Sequence, residues 1–428
     1  LGRRSKLGLA VSLLLAGSMW FYVQHVQIPH QQADAALHGI PRGNLSDLYP
    51  RWLGARELSL HHRDPYSSEI TREIQIGYYG RPLDPAHPAD PKDQQGFAYP
   101  VYVVFLLSPT VTLPFPAVQV GFRWFLVALT VVTVLVWLRA LRWRASVTTT
   151  AIVIVLALGS FQALQGIKLQ QLSLLVGGLV AASALLLIEN YLAPAGVLLA
   201  VATIKPQLVL LLVGWLLLWA VSDWRRRQNF VWGFISTMVV LLAAGEYVLP
   251  GWIGRFRDAV IAYRQYNDGA GSVLDVLVTP VWGQVLAALA VVALALSCWR
   301  LRRLPSDSPA FRWILAAILA VTVMVVPKAA PYNQVLLLPG ILLTVQQWHI
   351  LWAKNSLTRS AVLILSWLIC WPWLASLSLV VASLFLPVAS VQQAWALPVY
   401  TSPAIPIAVV ALLGLCLRDA ANPEPKVS

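Results

Sequence analysis

Asp47 is the carboxylate best placed to do chemistry in this chain. It lies in Asn44–Tyr66 (NLSDLYPRWLGARELSLHHRDPY), just beyond the first long apolar run, in a sequence otherwise short of acids. Cations recur in other loops: Lys205 in Ala202-Thr203-Ile204-Lys205-Pro206-Gln207, Lys168 shortly before Gln170 and Gln171, and Arg255, Arg257 and Arg264 along a helical-looking stretch with Tyr263 and Tyr266. Transfer of a group from a phosphate ester to a hydroxyl needs both kinds of residue: a base to take the proton and positive charge to hold the departing phosphate. Plainer roles stay open at this level. Asp47 could simply complement a helix dipole, Lys205 could snorkel to the membrane surface, and the arginines could lie on lipid head groups. His61 and His62 are adjacent and cannot share a helix face, and Asp84, Asp90 and Asp93 sit in a proline-rich loop, so no metal site is expected.

Composition says what must position these residues. With 58% hydrophobic and 11% charged residues, no water-soluble class fits, and the chain is expected to be an all-α polytopic membrane protein. The net charge of +13 comes largely from short clusters between apolar runs, Arg139/Arg142/Arg144, Arg225–Arg227 and Arg300/Arg302/Arg303. Such clusters mark cytoplasmic loops and argue against a nucleic-acid partner. Cys298, Cys370 and Cys416 show neither pairing nor metal spacing. There is no P-loop, GxGxxG or HExxH, which removes nucleotide-driven pumps. The start resembles a signal peptide, and Ala33-Asp34-Ala35 offers a weak cleavage pattern, but an uncleaved first span is expected.

Apolar runs predict spans near 7–27, 117–138, 148–163, 172–188, 192–204, 207–221, 229–248, 277–298, 311–327, 333–348, 360–382 and 402–417, about twelve in all. The run 99–114 decides the sidedness. If it crossed, every later arginine cluster would face outward; if it lies along the outer surface as a juxtamembrane helix, all share the cytoplasmic side with the basic N-terminus. Pro100, Pro109, Pro114 and Pro116 favour the second arrangement. Asp47, Glu57, Asp64, Lys168, Gln170, Lys205, Arg255, Arg257, Arg264 and Lys328 then all face outward, with both termini cytoplasmic. In the large first outer loop, spacing predicts a helix over 45–61, capped by Asn44 or Ser46 with Asp47 in its first turn, a turn at Asp64-Pro65-Tyr66, a second helix over 67–79, and an irregular segment from Gly80 to Gly96.

Asp47-Leu48-Tyr49, then Asp64-Pro65-Tyr66, then Tyr99-Pro100 opening an apolar run resemble the first outer loop of glycosyltransferase family 87. So do Gln170 and Gln171 before Leu172-Ser173-Leu174-Leu175, Ala195-Gly196, and Ala202-Thr203-Ile204-Lys205-Pro206; Pro327 to Gln334 is loosely similar to a later outer-loop motif. Leu169-Gln170-Gln171-Leu172 stands where that family has Gly-Gln-x-Asn, and Val101 where it has a second proline. The resemblance implies the GT-C architecture in one membrane domain over 1–428: a first loop at 28–116, the rest of the motif-bearing module at 117–248, and a C-terminal module at 249–428.

The same resemblance implies an inverting, metal-independent transferase of the plasma membrane, without a cofactor, moving mannose from a polyprenyl phosphate to a glycolipid or glycan hydroxyl at the outer face. It assigns the base to Asp47 and donor phosphate binding to Lys205, with Arg255, Arg257, Arg264 and Lys168 as helpers. Tyr49, Asp64, Tyr66, Tyr99, Gln170, Gln171 and Asn333 become substrate-binding candidates. Two rivals are a lipid-linked-sugar flippase, which would carry ionisable groups at mid-depth of its spans, and a membrane scaffold with a degenerate site.

Overall fold

In the computed structural model the regular elements among the described residues are all helical. The structure describes residues 3–37, 46–84, 86–87, 90–91, 93–266, 271–327 and 330–421. Asn44 and Lys328, singled out above, lie outside them. Helix α1 (Arg3–Phe21) runs through a π turn (Tyr22–Gln27) into Ile28–Leu37, so Ala33-Asp34-Ala35 lies within a helix.

The first loop carries a helical hairpin. Helix α2 (Tyr49–His61) starts later than the spacing suggests because Pro50, lacking an N–H, fits only its first turn. Asp47 therefore sits in the turn before the helix, not in its first turn. The helix ends where His62 takes a left-handed conformation (φ 54°). Ser67 caps α3 (Ser68–Tyr79) by accepting from the Ile70 N–H at 3.2 Å. Arg63 clamps the hairpin, reaching Glu57 at 2.7 Å and Glu73 at 2.6 Å. Between 99 and 114 there is only the five-residue α4 (Val103–Leu107) and one 3-10 turn (Ser108–Thr110), too short to cross a bilayer.

The bundle follows: α5 (Phe115–Ala140), α6 (Val147–Leu158), α7 (Phe161–Lys168), α8 (Leu172–Ile188), α9 (Leu192–Ala202), α10 (Pro206–Val221) and α11 (Trp224–Val248). After it come α12 (Trp252–Tyr266), α13 (Val273–Leu277), α14 (Pro280–Leu301), α15 (Pro309–Val325), α16 (Leu338–Gln346), α17 (Trp348–Ala353), α18 (Ser356–Ala382), α19 (Val388–Gln393) and α20 (Ile405–Ala421). Among the described residues six helical stretches are long and apolar enough to span a membrane, or seven if α6 and α7, bent by 56°, form one crossing. Each of the twelve predicted runs falls on helix, but four of the helices, α8, α9, α10 and α15, are apolar yet short. The 11 residues of α9 rise only about 16 Å.

Helices α9 and α11 cross in close contact because glycine stands at both sides of the crossing. A Cβ on Gly196 would strike the Phe230 carbonyl, and one on Gly233 the Ala193 carbonyl. The arginine clusters gather at one end of this bundle. Arg227 donates to the carbonyls of Arg302 (3.1 Å) and Leu304 (3.0 Å), and Arg142 stands 3.9 Å from Asp307. The opposite ends of α5, α8, α9 and α10 meet the first loop.

Candidate active site

Four segments distant in sequence converge where the first loop covers the bundle: the turn before α2, the α7–α8 turn, the α9–α10 turn, and the 3-10 helix Pro331–Leu337. The Asp47 N–H donates to the Leu169 carbonyl at 2.9 Å, docking the first loop on the α7–α8 turn. That turn is shaped by Gln170, which adopts φ 50° and donates its side-chain amide to the carbonyls of Ile167 and Lys168, both at 2.7 Å. Gln171, next in the chain, is thereby aimed at the site. Its Nε2 donates to Asp47 Oδ2, and its Oε1 accepts from Lys205 Nζ at 3.0 Å.

Lys205 precedes Pro206, the first residue of α10, so the chain cannot run on as helix from α9 and turns here. Tyr102 pins the turn, its hydroxyl donating to the Thr203 carbonyl at 2.9 Å. Lys205 is 6% exposed and so does not snorkel. A buried ammonium demands partners, and Lys205 donates to Gln171 and to Ser173 Oγ (2.6 Å), with its Nζ 5.0 Å from the centre of the Tyr332 ring and 6.0 Å from that of Tyr99. Ser173 donates in turn to Asn333 Oδ1 at 2.8 Å.

Around Asp47 the loop adds its own groups. Tyr78 of α3 donates to Oδ1 at 3.3 Å, and Arg51 Nη1 donates to the Asp47 carbonyl at 2.8 Å. The Arg51 guanidinium lies 4.5 Å above the Tyr99 ring, and its Nε is buried with no hydrogen-bond partner. Tyr99 is held from behind by Tyr66, whose hydroxyl donates to the Tyr99 carbonyl at 2.6 Å. Burial pushes the Tyr99 phenol up to about 12, with Arg51 pulling the other way, and burial likewise raises Tyr66. Both phenols therefore stay protonated in neutral solution. Tyr263 of α12 stands close enough to Tyr99, Arg51 and Tyr332 to act on them electrostatically.

Of the residues singled out from sequence, Asp47, Gln171, Lys205, Tyr99 and Asn333 thus form one hydrogen-bonded and stacked constellation. Gln170 shapes the turn, and Tyr66 supports Tyr99. Tyr49 packs edge-on against Phe115, ring centres 4.9 Å apart, and against Gly77. Asp64 caps the Tyr66 N–H at 2.9 Å and pairs with Arg255 at 3.0 Å. Arg257 is exposed and pairs with its neighbour Asp258 at 2.9 Å, Arg264 is exposed on the same helix, and Lys168 donates to Gln31 at 2.9 Å. Sequence reasoning missed Arg51, Tyr78, Ser173 and Tyr332. Arg51 carried one usable signal, its place one helical turn after Asp47.

The arrangement sets a carboxylate able to accept a proton beside a buried ammonium and a half-buried guanidinium able to stabilise an anion. The model of glycosyltransferase family 87 matches residues 97–327, more than half of the chain, a stretch that holds Tyr99, Gln171, Ser173, Lys205 and Tyr263 and begins after Asp47. No curated protein and no solved structure matches the chain.

Proposed function

Because the chain belongs to glycosyltransferase family 87, we propose that Asp47 is the base that takes the proton from an acceptor hydroxyl. The oxygen so freed attacks the anomeric carbon of a sugar carried on a polyprenyl phosphate. The bond between that carbon and the phosphate oxygen breaks, the electron pair leaves on the phosphate, and attack from the opposite face inverts the anomeric centre. Lys205 and Arg51 supply the positive charge that meets the leaving phosphate, a role that needs no metal ion or cofactor in principle.

The observation that carries this reading is the Gln171 amide, which holds Asp47 and Lys205 at its two ends. A base and a phosphate-binding cation are useful only if held at a fixed separation. Asn333 and Ser173 orient the ammonium from behind. The arginines of α12 lie outside this constellation, and a role on lipid head groups suits Arg257 and Arg264 better.

The donor sugar we propose is mannose and the acceptor a glycolipid or glycan. The chain would form one GT-C domain in the plasma membrane with about twelve crossings, the short apolar helices lying inside the bundle. Both termini would face the cytoplasm with the arginine clusters, and the site would face outward. The test is incubation of the purified protein in nanodiscs with a panel of radiolabelled polyprenyl-phosphate sugars and a membrane lipid extract. Labelled product of inverted configuration is expected from polyprenyl-phosphate-mannose. No product from any donor would contradict the proposal.

A further inference from the structure

Beside the constellation lies a cavity of about 640 Å³ that the chemistry above does not use. It opens between α3 (Ser68, Thr71, Arg72, Gln75), the residues Pro82 to Asp84 and Gln94 to Ala98, and the face of α12 that carries Ala259, Ala262 and Tyr263. Its size falls within the roughly 300–1,000 Å³ of pockets that take small organic ligands. Resting on the transferase reading, we infer that this cavity is a subsite for an uncharged glycan: the acceptor bears further sugar units beyond the one whose hydroxyl reacts, and the cavity holds them.

Three observations carry this. The first is composition. Its described walls combine the half-buried aromatic residues Tyr66 and Tyr263 with the side chains of Ser68, Thr71 and Gln94, while Phe97 is buried in the wall and the buried Gln75 amide is already bonded to Gln94 and to the Leu83 N–H. Aromatic faces carry partial negative charge that attracts the slightly positive C–H faces of a pyranose, and amides and hydroxyls both donate and accept, as sugar hydroxyls do. The second is charge. Among the described residues of the wall the cation Arg72 is balanced by the anion Asp84, so these residues offer no surplus positive charge for a phosphate, unlike the surroundings of Lys205 and Arg51.

The third is position. Gln75 lines the cavity, while Tyr78, three residues later on α3, donates to Asp47; residues at that spacing are neighbours on a helix surface, about one turn or 5 Å apart. Tyr66 belongs to both places, lining the cavity and holding Tyr99, and Tyr263, which also lines the cavity, lies close enough to Arg51 to act on it electrostatically. A hydroxyl at Asp47 and sugar units in the cavity are therefore separated by a step that a glycosidic chain can bridge.

The test uses the full chain in nanodiscs and synthetic alkyl glycosides of one to three units, in mannose, glucose, galactose and arabinose series, with the same alkyl tail throughout. Binding is read by saturation-transfer NMR titration and needs no turnover. In at least one series the three-unit glycoside is expected to bind about 10-fold more tightly than the one-unit compound, a gain that one or two added hydrogen bonds supply. Ala259→Trp, filling the cavity from α12, is expected to erase that gain, and Gly96→Leu, filling it from the opposite wall, gives an independent check should the first variant not fold. Affinity independent of glycan length in every series, or a gain that survives both fillings, would overturn the subsite. Length-dependent binding without transfer from any polyprenyl-phosphate donor would leave the subsite standing and remove the transferase reading instead.

Discussion

Asp47 and Lys205 do not touch; one side-chain amide, that of Gln171, donates to the first and accepts from the second. An amide is suited to this because it offers a donor and an acceptor on one rigid plane. The separation of carboxylate and ammonium is then set by the backbone of the α7–α8 turn, not by two flexible side chains.

Replacing Gln171 tests that relationship. Gln171→Ala is expected to lower kcat about 10- to 100-fold through lost positioning, with little change in folding. Gln171→Glu puts a like charge against Asp47, which raises the apparent pKa of the pair. The acid limb of its pH–rate profile is expected to move to higher pH, a shift that a merely structural glutamine would not produce.

Charge at the site and charge on the surface should separate cleanly. Lys205→Met removes a buried ammonium of matching length and is expected to cost about 100- to 1,000-fold in kcat, as loss of a group that stabilises developing negative charge does. Arg257→Ala removes an exposed group paired with its neighbour and is expected to stay within about twofold of wild type. Equal losses in both variants, measured by radiolabelled transfer, would place the phosphate elsewhere.

Two further residues are expected to matter for stability alone. Gly196→Val and Gly233→Val each force a side chain into a backbone carbonyl across the α9–α11 crossing. Overpacking of this kind costs about 1–3 kcal/mol, so the melting temperature in detergent should fall in each. An unchanged melting temperature would mean that the two helices do not approach this closely.

The segment beside the cavity carries a pH-sensitive lock. Arg81 binds the Asp90 carboxylate, the Asp84 N–H donates to it at 2.7 Å, and these contacts, the Arg81 hydrogen bond foremost, hold its pKa well below the usual carboxylate range. The folded value lies below the unfolded one of about 3.9. The stabilisation is therefore complete above that pH and is lost as pH falls through the depressed folded value. Hydrogen exchange at the Asp84 amide, which donates to Asp90, is expected to be slow at pH 7 and still protected at pH 4 in wild type, but fast at both in Asp90→Asn. Equal protection in the variant would contradict the lock.

What could be read from the sequence followed from where polar residues interrupt apolar runs. Asp47, Gln171, Lys205 and Asn333 all lie at such breaks, and a bundle with its loops at two ends must bring several of them together. Helix boundaries suffered where a single residue decides: Pro50 moves the start of α2 past Asp47. Ser173 stayed hidden because what distinguishes it is burial beside a partner, which spacing does not encode, whereas Arg51 was marked only by its distance of one helical turn from Asp47. The α12 arginines show the converse, since an outward cation looks alike whether it serves a ligand, an adjacent aspartate or a lipid. The number of crossings was legible only as apolar runs, because a short buried helix and a full span share the same composition.

The most direct measurement is transfer from radiolabelled polyprenyl-phosphate-mannose by wild type and by Asp47→Asn, each purified in nanodiscs and matched for folding. Asparagine keeps the shape and an oxygen for Gln171 but cannot take a proton. The account predicts a loss of about 100- to 10,000-fold in kcat, the range that a general base contributes. Wild-type turnover by Asp47→Asn would contradict it and move the base to another carboxylate of the first loop.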